Sequence, residues 1–154
     1  MLTFKALHIL SMIAMVTIEI GAETLYAFAI SRRDIGSLAA VHRVLERLHA
    51  GPASVAAFIS GVVFGLLTAA TGGFDLLDGW LIAAYLLVVA FLASTTMFLR
   101  GALPLGKAAA EAEGGQAGRE ALGGRMASSR VLLWFALDLT IVVAFVLDMV
   151  LKPF

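Results

Sequence analysis

Residues 131–151 read VLLWFALDLTIVVAFVLDMVL, an apolar run broken only by Asp138, Thr140 and Asp148. A hydrocarbon core about 30 Å thick is crossed by roughly 20 residues in helical form, so this stretch is long enough to span a bilayer. Open strands are excluded there, because lipid offers no partner to an unpaired backbone N–H or C=O. Working outward, residues 79–99, 53–71 and 2–30 have the same character. The expected fold is therefore all-α, a four-helix transmembrane bundle.

Composition agrees. The 154 residues are 61% hydrophobic and 14% charged, with a mean hydropathy of +0.98; soluble domains average about 25% charged residues. Without cysteine there is no disulfide scaffold, and 11 Lys and Arg against 11 Asp and Glu leave no net positive charge for phosphates. Nucleic acid is thus excluded as a partner and the lipid bilayer is implied. In the first span, Lys5, the apolar run and Ala27-Phe28-Ala29 imitate a signal peptide. Glu19 and Glu23 interrupt the part where such a peptide is purely apolar, so this segment reads as a retained span.

Four spans divide the loops between two sides. Residues 31–52 and 100–130 carry nine of the basic residues, and the opposite side holds only Lys5 and Lys152. By the positive-inside rule the basic side is cytoplasmic. The expected location is a bacterial inner membrane, with both termini on its non-cytoplasmic side. Between the first two spans, Ile35, Leu38, Val41, Leu45 and Leu48 share one helical face with Arg43 and Arg47 opposite. That pattern predicts a short amphipathic helix in the interface, its arginines among the headgroups. Gly51-Pro52 ends it, and the Ala- and Gly-rich stretch 100–130 reads as a mobile loop, partly helical at best. In the second span Ala53, Ala57, Gly61, Gly65 and Ala69 recur every four residues, a spacing that lets helix backbones approach closely. Packing inside the bundle explains it more simply than a dimer interface.

Ionisable groups within a span are costly, on the order of 2.5–3.5 kcal/mol for a central Asp. At 100° per residue, His8, Met12, Met15, Glu19, Glu23 and Tyr26 fall within an arc of roughly 80°, so this face must point into the bundle. Glu19 and Asp138 lie at matching depths near mid-membrane, while His8 and Asp148 match near the outer end. If the first and fourth spans are neighbours, Glu19, Glu23 and Asp138 form an inner constellation. An outer one then joins His8 to Asp148 or Met149. Three carboxylates clustered in low dielectric cannot all stay charged, and no Lys or Arg stands in the middle of any span. They are a proton relay or cation site, or neutral acids bonded to Ser94, Thr95, Thr96 or backbone carbonyls, or partners of a basic group on another subunit.

His8 with Met12 or Met149 offers soft ligands for copper or an axial ligand for haem b. A bis-histidine haem is excluded, because His42 and His49 belong to the other side of the membrane. His42, Glu46 and His49 share one helix edge at a spacing zinc uses, but without an evident fourth ligand they read as a solvated edge. Nucleophilic catalysis finds neither a cysteine nor a Gly-x-Ser-x-Gly elbow.

The opening Lys5-Ala6-Leu7-His8-Ile9-Leu10, the turn Gly72-Gly73-Phe74-Asp75-Leu76-Leu77 leading to Trp80-Leu81, and the end Met149-Val150-Leu151-Lys152-Pro153 occur here together. In that order they resemble the four-span bacterial membrane proteins of the domain-of-unknown-function 2269 family, over nearly the whole chain. The opening is also distantly similar to the CopD copper-resistance proteins and the HemJ-type membrane proteins. In the HemJ group a histidine at the position of His8 is implicated in haem binding. That group also has a functional lysine in a later span, which the third span here lacks. The expectation is a membrane protein that handles a proton, metal ion or haem through a polar face of the first and fourth spans. The alternative is a non-catalytic subunit of a larger membrane complex, with other membrane subunits or a second copy as partner.

Overall fold

The computed structural model describes residues 2–112 and 116–151. Among them are six α-helices and no strand: α1 (Leu2–Ser31), α2 (Ile35–Arg47), α3 (Ala50–Gly72), α4 (Gly79–Glu111), α5 (Gln116–Ser128) and α6 (Val131–Leu151). Of these, α1, α3, α4 and α6 are long and apolar enough to cross a membrane. At 1.5 Å per residue the 23 residues of α3 reach about 35 Å and the 21 of α6 about 32 Å, close to one bilayer core. Only 17% of the most apolar window of each is buried within the molecule, which leaves most of their surface for lipid.

The stretch 100–130 differs from the expected loop. Helix α4 continues without a break to Glu111, so its 33 residues reach about 50 Å, well past the hydrocarbon. Helix α5 fills much of the remainder. The cause is burial: Ala102, Leu105, Gly106 and Ala109 stand at i, i+3, i+4 and i+7 and are buried, as are Leu122 and Met126 one turn apart on α5. Pro104 lies inside this extension. Its missing N–H removes one backbone bond, a defect of about 3 kcal/mol in a helix interior. The packed face outweighs that loss.

Helix α2 forms where its periodicity places it, but its apolar face has a different partner from the interface. Leu38 and Ala39 are fully buried and Ile35, Val41 and Leu45 pack around them, against the C-terminal ends of α1 and α4. Leu48, past the helix end, is exposed. Asp34 caps the helix, accepting from Ser37 N at 3.1 Å and Ser37 Oγ at 2.6 Å. These bonds hold the exposed Asp34 carboxyl below the usual aspartate range.

Helix α1 lies along α3 and α4 along α6, with α1 and α6 joining the two pairs. Helices α3 and α4 meet near their turn, where Ala69 packs on Trp80 and Leu81. Beyond it they part. Gly73, at φ 74°, closes α3 in the left-handed conformation that glycine adopts without a Cβ clash. Besides the Ala69–Trp80–Leu81 cluster, the core has two layers. The one at the α2 end joins α2, the extension of α4 and α5 to Tyr26, Phe98 and Val131. The mid-bundle layer is Met15, Phe91 and Ile141.

Candidate functional site

Every polar residue on the shared face of α1 finds a different neighbour. Near its start, His8 Nδ1 donates to Gly61 O at 2.7 Å. The acceptor is a carbonyl, so a proton sits on Nδ1, which leaves Nε2 as the ring nitrogen that could offer a lone pair. Next, Met12 seats on Gly61: a Cβ there would stand 2.6 Å from its Sδ, and one on Gly65 would stand 3.0 Å from the His8 ring. The two glycines of the small-residue stripe are thus where α1 meets α3, while Ala57 borders the mid-bundle layer and Ala69 the α3–α4 turn.

Deeper along α1, Glu19 accepts a hydrogen bond from Ser54 Oγ of α3 at 2.5 Å. Glu23 points the other way, toward α6. It is 1% exposed and Asp138 is 0% exposed. Their carboxyls lie within hydrogen-bonding reach of each other, and Glu19 is close enough to act on both. None of the four oxygens of Glu23 and Asp138 meets a donor. Two carboxylates are both acceptors, so neither can serve the other without a proton between them. Ser94 and Thr95 of α4 flank Asp138, but Ser94 Oγ donates to Trp134 O at 3.5 Å and Thr95 Oγ1 has no partner. Thr96 donates to Leu92 O.

Sequence reasoning missed a second polar group. His42, placed above on a solvated edge, is buried at 7% exposure. Tyr26 OH donates to its Nδ1 at 2.7 Å, and its Nε2 stands 3.5 Å from Glu46 Oε1, on an exposed side chain. Gly106 of α4 makes room for the pair: a Cβ there would lie 2.9 Å from both His42 Nδ1 and Tyr26 Cε1. His49 is exposed and bonds to Arg47 O, so it does not complete a zinc set with His42 and Glu46.

Two grooves flank these residues. One of about 1010 Å³ runs between α3 and α4 over α1 and takes in Glu19, Ser54 and Thr95, with Tyr26, His42 and Glu46 toward α2. The other, about 410 Å³, lies between α1 and α6 and is lined by His8, Met12 and Met149 among apolar residues. Asp148 lies on α6 with one buried oxygen unpartnered, and His8 bonds to α3 instead of to it. A haem or copper ion would find there one imidazole nitrogen and two thioethers, of which Met12 is pressed into the α1–α3 seam. Among the described residues, no group of three or more His, Asp or Glu side chains could hold a metal ion.

A match to the family described as "Predicted integral membrane protein (DUF2269)" covers residues 2–153. The chain belongs to the DUF2269 family. The resemblance carried by the Lys5–Leu10 opening, the Gly72–Trp80 turn and the Met149–Pro153 end therefore holds along the chain. No curated protein and no solved structure gives a significant match. The DUF2269 description states membrane residence and no activity, so the buried polar groups carry the functional reading.

Proposed function

We propose that this DUF2269 protein handles protons inside the membrane through the Glu23–Asp138 carboxyl pair, with Glu19 as its neighbour. The observation that carries the reading is the pair itself: two fully buried carboxyls, face to face, that no protein donor satisfies. Leaving a buried polar group unpaired costs about 1–3 kcal/mol, more when it is charged. One proton held between the two removes much of that penalty and can be exchanged. Ser94 and Thr95 stand close enough to act on Asp138, but Ser94 Oγ is directed to Trp134 O and Thr95 Oγ1 makes no well-formed hydrogen bond, so the pair lacks the firm donors a purely structural role would use. A basic group on a partner subunit has no path to carboxyls at 1% and 0% exposure. The metal and haem readings rest on one imidazole nitrogen and two thioethers, with Met12 held in the α1–α3 seam.

We propose, from the excess of Lys and Arg in residues 31–52 and 100–130, that α2, α5 and the adjoining end of α4 face the cytoplasm at a bacterial inner membrane.

Infrared difference spectroscopy of the protein in liposomes, titrated in H2O and in D2O, tests the reading. A buried carboxylic-acid C=O band that shifts in D2O is expected. It disappears in Glu23→Gln and Asp138→Asn and survives in Glu46→Gln. A spectrum that both variants leave unchanged removes the pair from any proton chemistry.

A further inference from the structure

The buried acids are not placed symmetrically between the two ends of the bundle. Met15, Phe91 and Ile141 form a packed apolar layer at 3%, 4% and 7% exposure. Met15 and Phe91 line both grooves, so this layer is the wall between them. Every member of the acid cluster stands on the α2 side of it. Along α1, Glu19 and Glu23 follow Met15 by about one and two turns. On α4, Ser94 and Thr95 follow Phe91 by about one turn; α6 runs in the opposite direction, so Asp138, which precedes Ile141 by about one turn, stands on the same side. The groove that reaches Glu19, Ser54 and Thr95 continues to the α2 end, where Glu46, His49 and Lys107 border it. The groove on the far side of the layer reaches none of the acids of the cluster: its lining runs from His8 to Thr17 on α1 and from Val142 to Val150 on α6.

We infer that the acid cluster exchanges protons with one side of the membrane only, the α2 side, through the groove between α3 and α4. The Met15–Phe91–Ile141 layer seals it from the other side. This rests on the proton-handling reading. His42 is the positioning group of the route: buried, held by Tyr26 OH and within reach of exposed Glu46, it sets a protonatable ring between the groove's rim and its interior. The titratable and charged groups bordering the route are Glu46, His49 and Lys107 at the rim and His42, Tyr26 and Glu19 within. One-sided access makes the cluster a proton-loading site that equilibrates with one compartment, which an open channel would not do.

The chain has no cysteine, so single cysteines report access without background. Ser54→Cys and Thr96→Cys, in oriented liposomes, are treated from each side with a charged, membrane-impermeant methanethiosulfonate. Modification at least tenfold faster from the α2 side is expected. Met15→Ala combined with Phe91→Ala should abolish that sidedness and let protons leak across the liposome. His42→Ala should slow proton exchange at the cluster about tenfold, with added imidazole restoring it and cysteine labelling unchanged.

Equal labelling from both sides, faster labelling from the far side, or no labelling by the charged reagent while a lipophilic maleimide reacts, overturns the inference. The last result means that lipid fills the groove. Labelling reads water access and not titration, so the two readings fail separately. One-sided labelling with no proton uptake would sink the proton-handling reading alone.

Discussion

Glu23 and Asp138 show how far burial alone can argue for function. A residue kept only for packing at this depth would be apolar, because a carboxyl there is costly unless something answers it. Glu23→Gln keeps a hydrogen-bonding group against Asp138 and should hold stability within about 1 kcal/mol of the parent. Glu23→Ala opens a cavity beside a lone buried acid and should cost about 3 kcal/mol. Thermal unfolding of the two variants in one detergent separates them. If both behave alike, no shared proton joins the pair. At Gly106 the surroundings are tight: a methyl group would meet His42 and Tyr26 within 3.0 Å. Gly106→Ala should therefore destabilise by about 1–3 kcal/mol and break the Tyr26–His42 bond, visible as a changed imidazole shift in NMR. The depth of Glu23 and Asp138 was legible in the sequence, since ionisable groups in a span have nowhere to go but inward. The role of His42 was not: on a helix flanked by arginines a histidine looks solvated, and Tyr26, 16 residues earlier, reaches it only because α2 folds back.

At the level of elements, Asp34 fixes where α2 begins. Its carboxyl is held below the ordinary aspartate range by Ser37, so the cap stabilises the folded helix at neutral pH. That contribution starts to fade as pH falls below about 4, the unfolded value, and is lost once pH passes beneath the lowered folded value. The protection factors of the Ser37 and Leu38 amides, their exchange rates taken relative to the unstructured chain at the same pH, should fall over that window, and in Asp34→Asn they should be independent of pH there. The four spans were readable because each is about one bilayer long and uniformly apolar. The inner half of α4 and α5 were not, although Ala102, Leu105, Gly106 and Ala109 keep a helical spacing. Small side chains carry a weak hydrophobic signal, and Pro104 reads as punctuation. Only the neighbours supplied by α2 and α5 make those residues a core.

Across the whole molecule, nine of the 11 basic residues lie at the same end as the core layer built by α2, α4 and α5. Alkaline phosphatase fused after residue 154, or within the turn at 73–78, should be active outside the cytoplasm, and fused near residue 113 inactive. The reverse pattern would invert the topology and turn the one-sided access outward. Helix α4 ties the two ends together as one rod: it carries Ser94 beside Asp138 and, about 18 Å further along, Gly106 beneath His42. A rod cannot bend one end in private. Were the α2–α5 cap displaced, α4 would tilt about its contact with α6, and the spacing around the acids and the seat of the histidine would change in one stroke, like the two pans of a balance.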